Sequence, residues 1–534
     1  MFYTFLVAWT QIMNKYLVNI IILGILQAGC LGSLYANEAL VSAARSGEMR
    51  GLSALLAEGV DPNYTLVDGS TALYWAAYEE QLPAVNQLLA AGADPSLADR
   101  YGVTPLYLAS INGNTAIVSA LLDSGADLHA LAPSGEPMLM IAARTGVPSV
   151  ISKLIDAGAE VDKREEQFQQ TALMVAVREG HVKAATLLLD AGADPNAATR
   201  LGEVPEFRPP CKGTGCGSEG VGINRGGLPD RGKRDAQRGG MSPLLYAARD
   251  GYLDIAALLV EAGADIEQVE ANNISPLLMT LINGHMPLAN LLLDQGADVN
   301  SDDFWGRSPL WAAVEYRNVD MNTKAEDKPV TNHVDREAVY PVIKRLLDLD
   351  ADVNFRTREL PPNRRWLYAL NDVSWVDYTG QTAFLRAAFS GDTEVMQLLL
   401  DYGANPNVAT FAGTTPLMAA AGVGWVVDQT YTVDMAHLLE AIDICISLGA
   451  DVDAENSMGL TALLGAANRG ANPLVEKLVS DYGADLFVAD VHDRDAWRWA
   501  EGVFLASVGA EWKPHTLALL DELAAMQGRK RPVR

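Results

Sequence analysis

"DGSTALYWAAYEEQLPAVNQLLAAGADPSLADR", residues 68–100, is followed without a gap by "YGVTPLYLASINGNTAIVSALLDSGADLHALAP", residues 101–133. Gly69, Gly102 and Gly135 stand 33 residues apart; Gly240, Asn273 and Gly306 repeat that spacing, and so do Gly380 and Gly413. A fixed period of this kind marks an array in which no unit buries its apolar face alone, so stacking supplies the core. Within a unit, Thr104-Pro105 starts a first helix, the hydroxyl capping it and the proline occupying a turn that needs no N–H. Leu106 and Ala109 give that helix a narrow apolar stripe. Val118, Leu121 and Leu122 give a second helix a wider one, and Gly125 ends it as a left-handed cap. Ala126 and Asp127 then lead into a hairpin finger toward the next unit.

These units resemble ankyrin repeats, through the pattern G-x-T-P-L-x-x-A-A followed by LLL-x-x-G-A-D-x-N, from residue 37 to about 525. The resemblance implies an all-α solenoid of helix–turn–helix units with hairpin fingers, about twelve in number. It also implies a binding scaffold rather than an enzyme, meeting another protein through its concave face and its fingers. The partner is not implied, because members of the family bind unrelated proteins. His181 and His285 fall where the family commonly places a Gly-His after the first helix, a structural position. The array opens at "NEALVSAARSGEMRGLSALLAEGVDPN" and closes at "DAWRWAEGVFLASVGAEWKPHTLALLDELAAM", a cap unit without the Thr-Pro start.

Composition narrows the partners. A net charge of −27 repels nucleic-acid phosphates and anionic headgroups, so no nucleic-acid role is expected. Residues 1–36 read as a secretory signal peptide: Lys15, an apolar run from Tyr16 to Leu26, then small residues to Ala36. Met13 fits the start of that layout better than Met1. A periplasmic or secreted location follows, with an uncleaved anchor, or a lipid at Cys30 in "QAGC", as the alternatives. Cys445 lies on an apolar helical face and reads as core.

The period is interrupted where function is most often added. The expected organisation is repeats over 37–200, a Gly/Arg-rich finger insertion at 201–238, repeats over 239–317, and a loop between helices at 318–339. A second helix follows at 340–354, a basic, aromatic finger insertion at 355–379, repeats and a cap over 380–525, and a solvated basic tail at 526–534. A further extended loop, "GWVVDQTYTVDMAH", also separates a first from a second helix. Six basic residues face two acidic ones between Phe207 and Arg234, and four face one between Arg356 and Trp366. Such fingers either fold onto the acidic body or clamp an anionic segment. Finger tips carry Tyr101, Phe168, Phe304, Trp305, Tyr378 and Phe411, and the second insertion carries Arg364, Arg365 and Trp366. These are the candidate partner-binding residues, since aromatic and arginine side chains are enriched in interface hot spots. Eight of ten tryptophans lie at or beyond Trp305, which places the expected surface toward the C-terminal half.

No catalytic, cofactor or metal site is expected. Gly215-Cys216-Gly217-Ser218-Glu219-Gly220 has the letters of a dinucleotide loop but neither the preceding strand nor the following helix. Cys211 and Cys216 lack further zinc ligands nearby and read as a disulfide across a tight glycine-rich loop. Asp348–Glu359 mimics a calcium loop but places Val353 at the turn that needs glycine. Three other roles stay open: an envelope accessory factor docking onto a redox or other enzyme, a secreted host-directed effector, and an enzyme whose site is built in the insertions.

Overall fold

The computed structural model describes residues 35–203, 237–318, 334–358, 376–425, 432–503 and 511–532. Most first helices begin as their sequence demands. Thr71, Thr104, Ser242, Ser308 and Thr415 each turn a side-chain oxygen onto the third N–H of the helix that follows, and a cap of this kind contributes about 1 kcal/mol. Helices such as Pro105–Ile111 and Thr115–Asp123 span seven and nine residues, too short to persist alone in water. Packing therefore holds them.

The described chain forms two compact units, one ending at Arg200 and one beginning at Leu201. The first contains five helix pairs, from 35–46 with Met49–Ala57 to Ala172–Arg178 with Val182–Asp190. The second contains seven among its described residues, from Pro243–Asp250 with Leu253–Glu261 to Ala496–Glu501 with Pro514–Met526. Inside each unit, first helices pack on first helices; second helices pack mainly on second helices. Small residues allow this close approach: Ala76, Ala77 and Ala109 are fully buried beside Leu73 and Leu121. Cys445 belongs to the same core, and burial pushes its thiol up to about 12.

One expectation is corrected. The second helix of the interrupted repeat is Arg336–Asp348, starting upstream of residue 340, because Asp335 caps it by accepting the N–H of Ala338. The tail after Met526 is largely exposed, as expected, but two of its cations have partners. Arg529 stacks over Phe487 at 3.4 Å and Arg531 pairs with Glu501. Among the described residues the regular structure is helical apart from a two-residue antiparallel ladder, Gly202–Glu203 against Gln237–Arg238, at the root of the 201–238 insertion, and a single bridge between Ala489 and Asp495.

The helix Pro309–Arg317 and the helix Arg336–Asp348 are tied where the 318–339 insertion leaves and returns. Arg336 Nε donates to the carbonyl of Arg317 at 2.9 Å. Arg317, 5% exposed, donates from Nε to Asp392 at 2.9 Å and also pairs with Glu394 in the next repeat. Arg386 answers in the opposite direction, pairing with Glu315 and donating to the carbonyl of Asn318. Reciprocal pairing of this kind compensates the desolvation of each buried guanidinium.

Candidate interaction surface

A recurring side-chain acceptor fixes each finger tip. Asp99 Oδ1 accepts the N–H groups of Tyr101 and Val103 at 2.8 and 2.9 Å. Asp303 does the same for Trp305 and Arg307, Asn456 for Met458 and Leu460, and Asp490 for His492 and Arg494. The bonds to the second and fourth residues onward close the turn and leave the side chain at its apex projecting. Two of these acceptors also carry buried ion pairs, Asp303–Arg307 and Asp490–Arg494, each at 2.6 Å. Burial holds the Asp303 carboxyl above its usual range even though Arg307 opposes it.

The expected contact residues divide into three groups. Tyr101, Phe168 and Phe411 project from their tips, at 65%, 55% and 48% exposure. Tyr101 is backed by the Arg100 guanidinium at 4.8 Å, and Phe411 by Arg356 at 4.4 Å. Phe304 and Trp305 are half-buried and pack edge-to-face on one another at 5.4 Å, with Arg307 over the indole. Tyr378 is a correction. It is 6% exposed, its ring lies 5.2 Å from Phe389, and its hydroxyl donates to the carbonyl of Val423, so it belongs to the interior. Burial accordingly pushes its phenol upward. Arg364, Arg365, Trp366, Cys211, Cys216 and the signal segment up to residue 34 lie outside the described residues.

The weighting toward the C-terminal half is also corrected, because several tryptophans counted there are core. Trp497 and Trp499 are fully buried and Trp311 is 4% exposed. The first unit offers a surface of its own that the tip residues did not reveal. Tyr78 and Ile111, exposed at 49% and 43%, hold one position of successive first helices, and Arg144 and Arg178 continue the column. Beside them Trp75 stands edge-to-face between Tyr74 and Tyr78, with Arg45 4.1 Å above it. Reading that column down the aligned repeats, instead of along one repeat, would have found it.

A side-chain ladder joins neighbouring fingers. In the first unit Asn63 accepts the N–H of Asp94, Ser96 that of Asp127, and Asp162 that of Asp194. In the second, Glu267 serves Asp298, Asn300 serves Asp352, and Asn354 serves Asn405. Of the residues that resembled a calcium loop, Asp352 and Asn354 serve in this ladder and its turn, and Asp348 pairs with Lys344. At one joint of the first unit the rung is missing. His129 stands where the acceptor belongs, and its ring lies 4.0 Å from the Glu160 carboxylate. A cavity of about 90 Å³ opens beside it, over Leu128, Leu131 and Met138. Rings of two other histidines do bridge repeats: His181 and His285 lie over Gly146 and Gly251 and reach the carbonyls of Arg144 and Arg249 at 3.1 and 3.0 Å. Among the described residues no group of three metal-ligating side chains converges.

Stacked helix pairs with fixed fingers and projecting aromatic tips define a repeat scaffold built to present side chains. The family described as ankyrin repeats in sets of three copies matches residues 40–132, 126–199, 244–323 and 387–490, more than half of the sequence, and the chain belongs to that family. Among curated proteins it is similar to human "Ankyrin repeat domain-containing protein 63", 33% identical over 107 residues, which are 20% of this chain and 26% of that protein. It is also similar to "Ankyrin repeat and KH domain-containing protein mask-1" of Caenorhabditis elegans, 31% identical over 141 residues, 25% of this chain and 5% of the relative. "Glycerophosphocholine phosphodiesterase gde1" of Schizosaccharomyces pombe is 36% identical over 104 residues, 19% of this chain and 8% of that enzyme. The chain thus spans about a quarter or less of the length of these relatives. Ankyrin repeats generally mediate protein–protein interaction.

Proposed function

We propose that this protein is an exported ankyrin-repeat scaffold that binds another protein through its finger tips and first-helix faces. The observation that carries the reading is the exposure of Tyr101, Phe168 and Phe411 on tips whose backbones are held by internal acceptors. A ring presented from a rigid turn loses little conformational freedom on binding, which favours it as an anchor. Export is supported by the composition of residues 13–36, and a Cys211–Cys216 disulfide accompanies it in this reading. The net charge of −27 supports a protein rather than a nucleic acid as the partner.

The test is site-specific photo-crosslinking in native cells, with benzoylphenylalanine at Tyr101, Phe168 or Phe411. All three sites should capture a common protein, and Glu261, exposed on a second helix, should not. Capture that is equal at Glu261, or absent at all three tips, removes the reading. In the same preparation, mass spectrometry without reductant should find Cys211 joined to Cys216. Free thiols there would defeat both the bond and the proposed compartment.

A further inference from the structure

Among the described residues of the second unit, one buried guanidinium has no acid of its own. Arg469 ends the helix Ala462–Arg469, and its guanidinium lies 4.9 Å from the Trp425 ring centroid. Its Nη2 donates to Thr432 Oγ1 at 3.2 Å, while its Nη1 is shielded from water and meets no acceptor. Neighbouring arginines show what is missing: Arg317 has Asp392 and Glu394, Arg386 has Glu315, and Arg494 has Asp490. A chain with 67 acidic and 40 basic residues does not lack carboxylates, yet among the described residues none pairs with this guanidinium. Burial lowers the Arg469 pKa to about 10, which leaves it charged at neutral pH. A desolvated cation without a counter-charge is costly to keep.

The place is built by two glycines. Gly422 adopts φ 111°, and a Cβ there would lie 3.1 Å from Arg469 Cδ. A Cβ on Gly465 would lie 2.6 Å from the Val423 nitrogen. Bare backbone at both positions lets the chain from Gly422 to Trp425 lie flat on the following first helix, which puts the indole against the guanidinium. Stacking covers one face of the guanidinium and Thr432 takes part of one edge. The Nη1 edge is left in the planar, two-donor form that suits a carboxylate.

We propose that Arg469 is a receptor for a carboxylate of the bound protein, seated on Trp425 and oriented by Thr432. The residue is half-buried, so part of its side chain reaches the surface. The inference rests on the protein-binding reading above and deepens it by naming an acidic recognition element. Its source is an Asp or Glu side chain or a free C-terminus.

The full chain is panned against random heptapeptides, and selected peptides are synthesised with free and with amidated C-termini. Selection should enrich Asp, Glu or a required C-terminal carboxylate, against the general repulsion expected from a chain of charge −27. Arg469→Gln should weaken these peptides at least tenfold, Arg469→Lys less, and Arg498→Gln not at all. Converting the peptide carboxylate to an amide should add nothing further in the Arg469→Gln background, the non-additivity expected of a direct pair. A melting temperature in Arg469→Gln at or above that of the native chain separates this from unfolding. Peptides that bind Arg469→Gln as well as the native chain, or that lack acids, overturn the proposal, as does a selection yielding no peptide. If tip crosslinking succeeds while Arg469→Gln changes nothing, the carboxylate receptor alone falls. If peptides depend on Arg469 while tip crosslinking fails, the tips fall instead.

Discussion

Glu136 shows how one side chain can make a finger sensitive to acid. Burial alone would raise its carboxyl, but Arg144 and Ser134, the latter donating at 2.6 Å, hold it below the usual range. A carboxylate lowered in the folded state stabilises above its unfolded pKa of about 4.3 and loses that contribution as pH falls through the folded value. Glu136→Gln should therefore melt below the native chain at pH 7, and the gap should close below about pH 4. A gap that persists in acid would mean that Glu136 acts through packing and not through charge. The residue scale is also where sequence reading is weakest. Tyr101 and Tyr378 carry the same ring near the tips of equivalent fingers, yet one is 65% exposed and the other 6%. The difference lies in Phe389 and the Val423 carbonyl, partners brought up by other parts of the chain that no local spacing reveals.

The elements were far more legible, because each boundary has a local chemical cause. Thr-Pro starts, left-handed glycine stops and the 33-residue spacing placed most helix pairs before any contact was known. They failed at the helix Arg336–Asp348, where Asp335 supplies an upstream cap outside the repeat pattern. They also could not give the fate of the basic tail, which is decided by Phe487 and Glu501. The Gly146 stop has two demands at once: φ 69°, and His181 so close that a Cβ would lie 2.4 Å from its ring. Gly146→Ala should cost about 2–3 kcal/mol, combining left-handed strain with displacement of the imidazole. Urea denaturation followed in parallel with Gly158→Ala isolates the second effect. Gly158 is also left-handed, at φ 95°, but has open space around its Cβ position, so a loss of equal size at both sites would dismiss the histidine contact.

At the scale of the whole molecule, an array has ends that must be covered. The last described pair does this with fully buried Trp497 and Trp499, whose indoles donate to Asp521 at 2.9 Å and Asp490 at 3.1 Å. Removing residues 496–534 should strip the apolar face of the preceding pair, and gel filtration should show self-association that the full chain lacks. A monodisperse truncated chain would show that the cap is dispensable. The finger ladder has a consequence of another kind. Pulled lengthwise, a stack shares load through the bonds that cross each joint, and in the first unit those bonds recur at Asp94, Asp127 and Asp194 but skip the joint of His129 and Glu160. A cavity lies at the same point, and the bond that does cross this joint, Thr115 Oγ1 to Ser149 Oγ at 2.6 Å, lies between second helices and not between fingers. Pulled lengthwise in an optical trap, the first unit should open at the finger side of this joint before its neighbours.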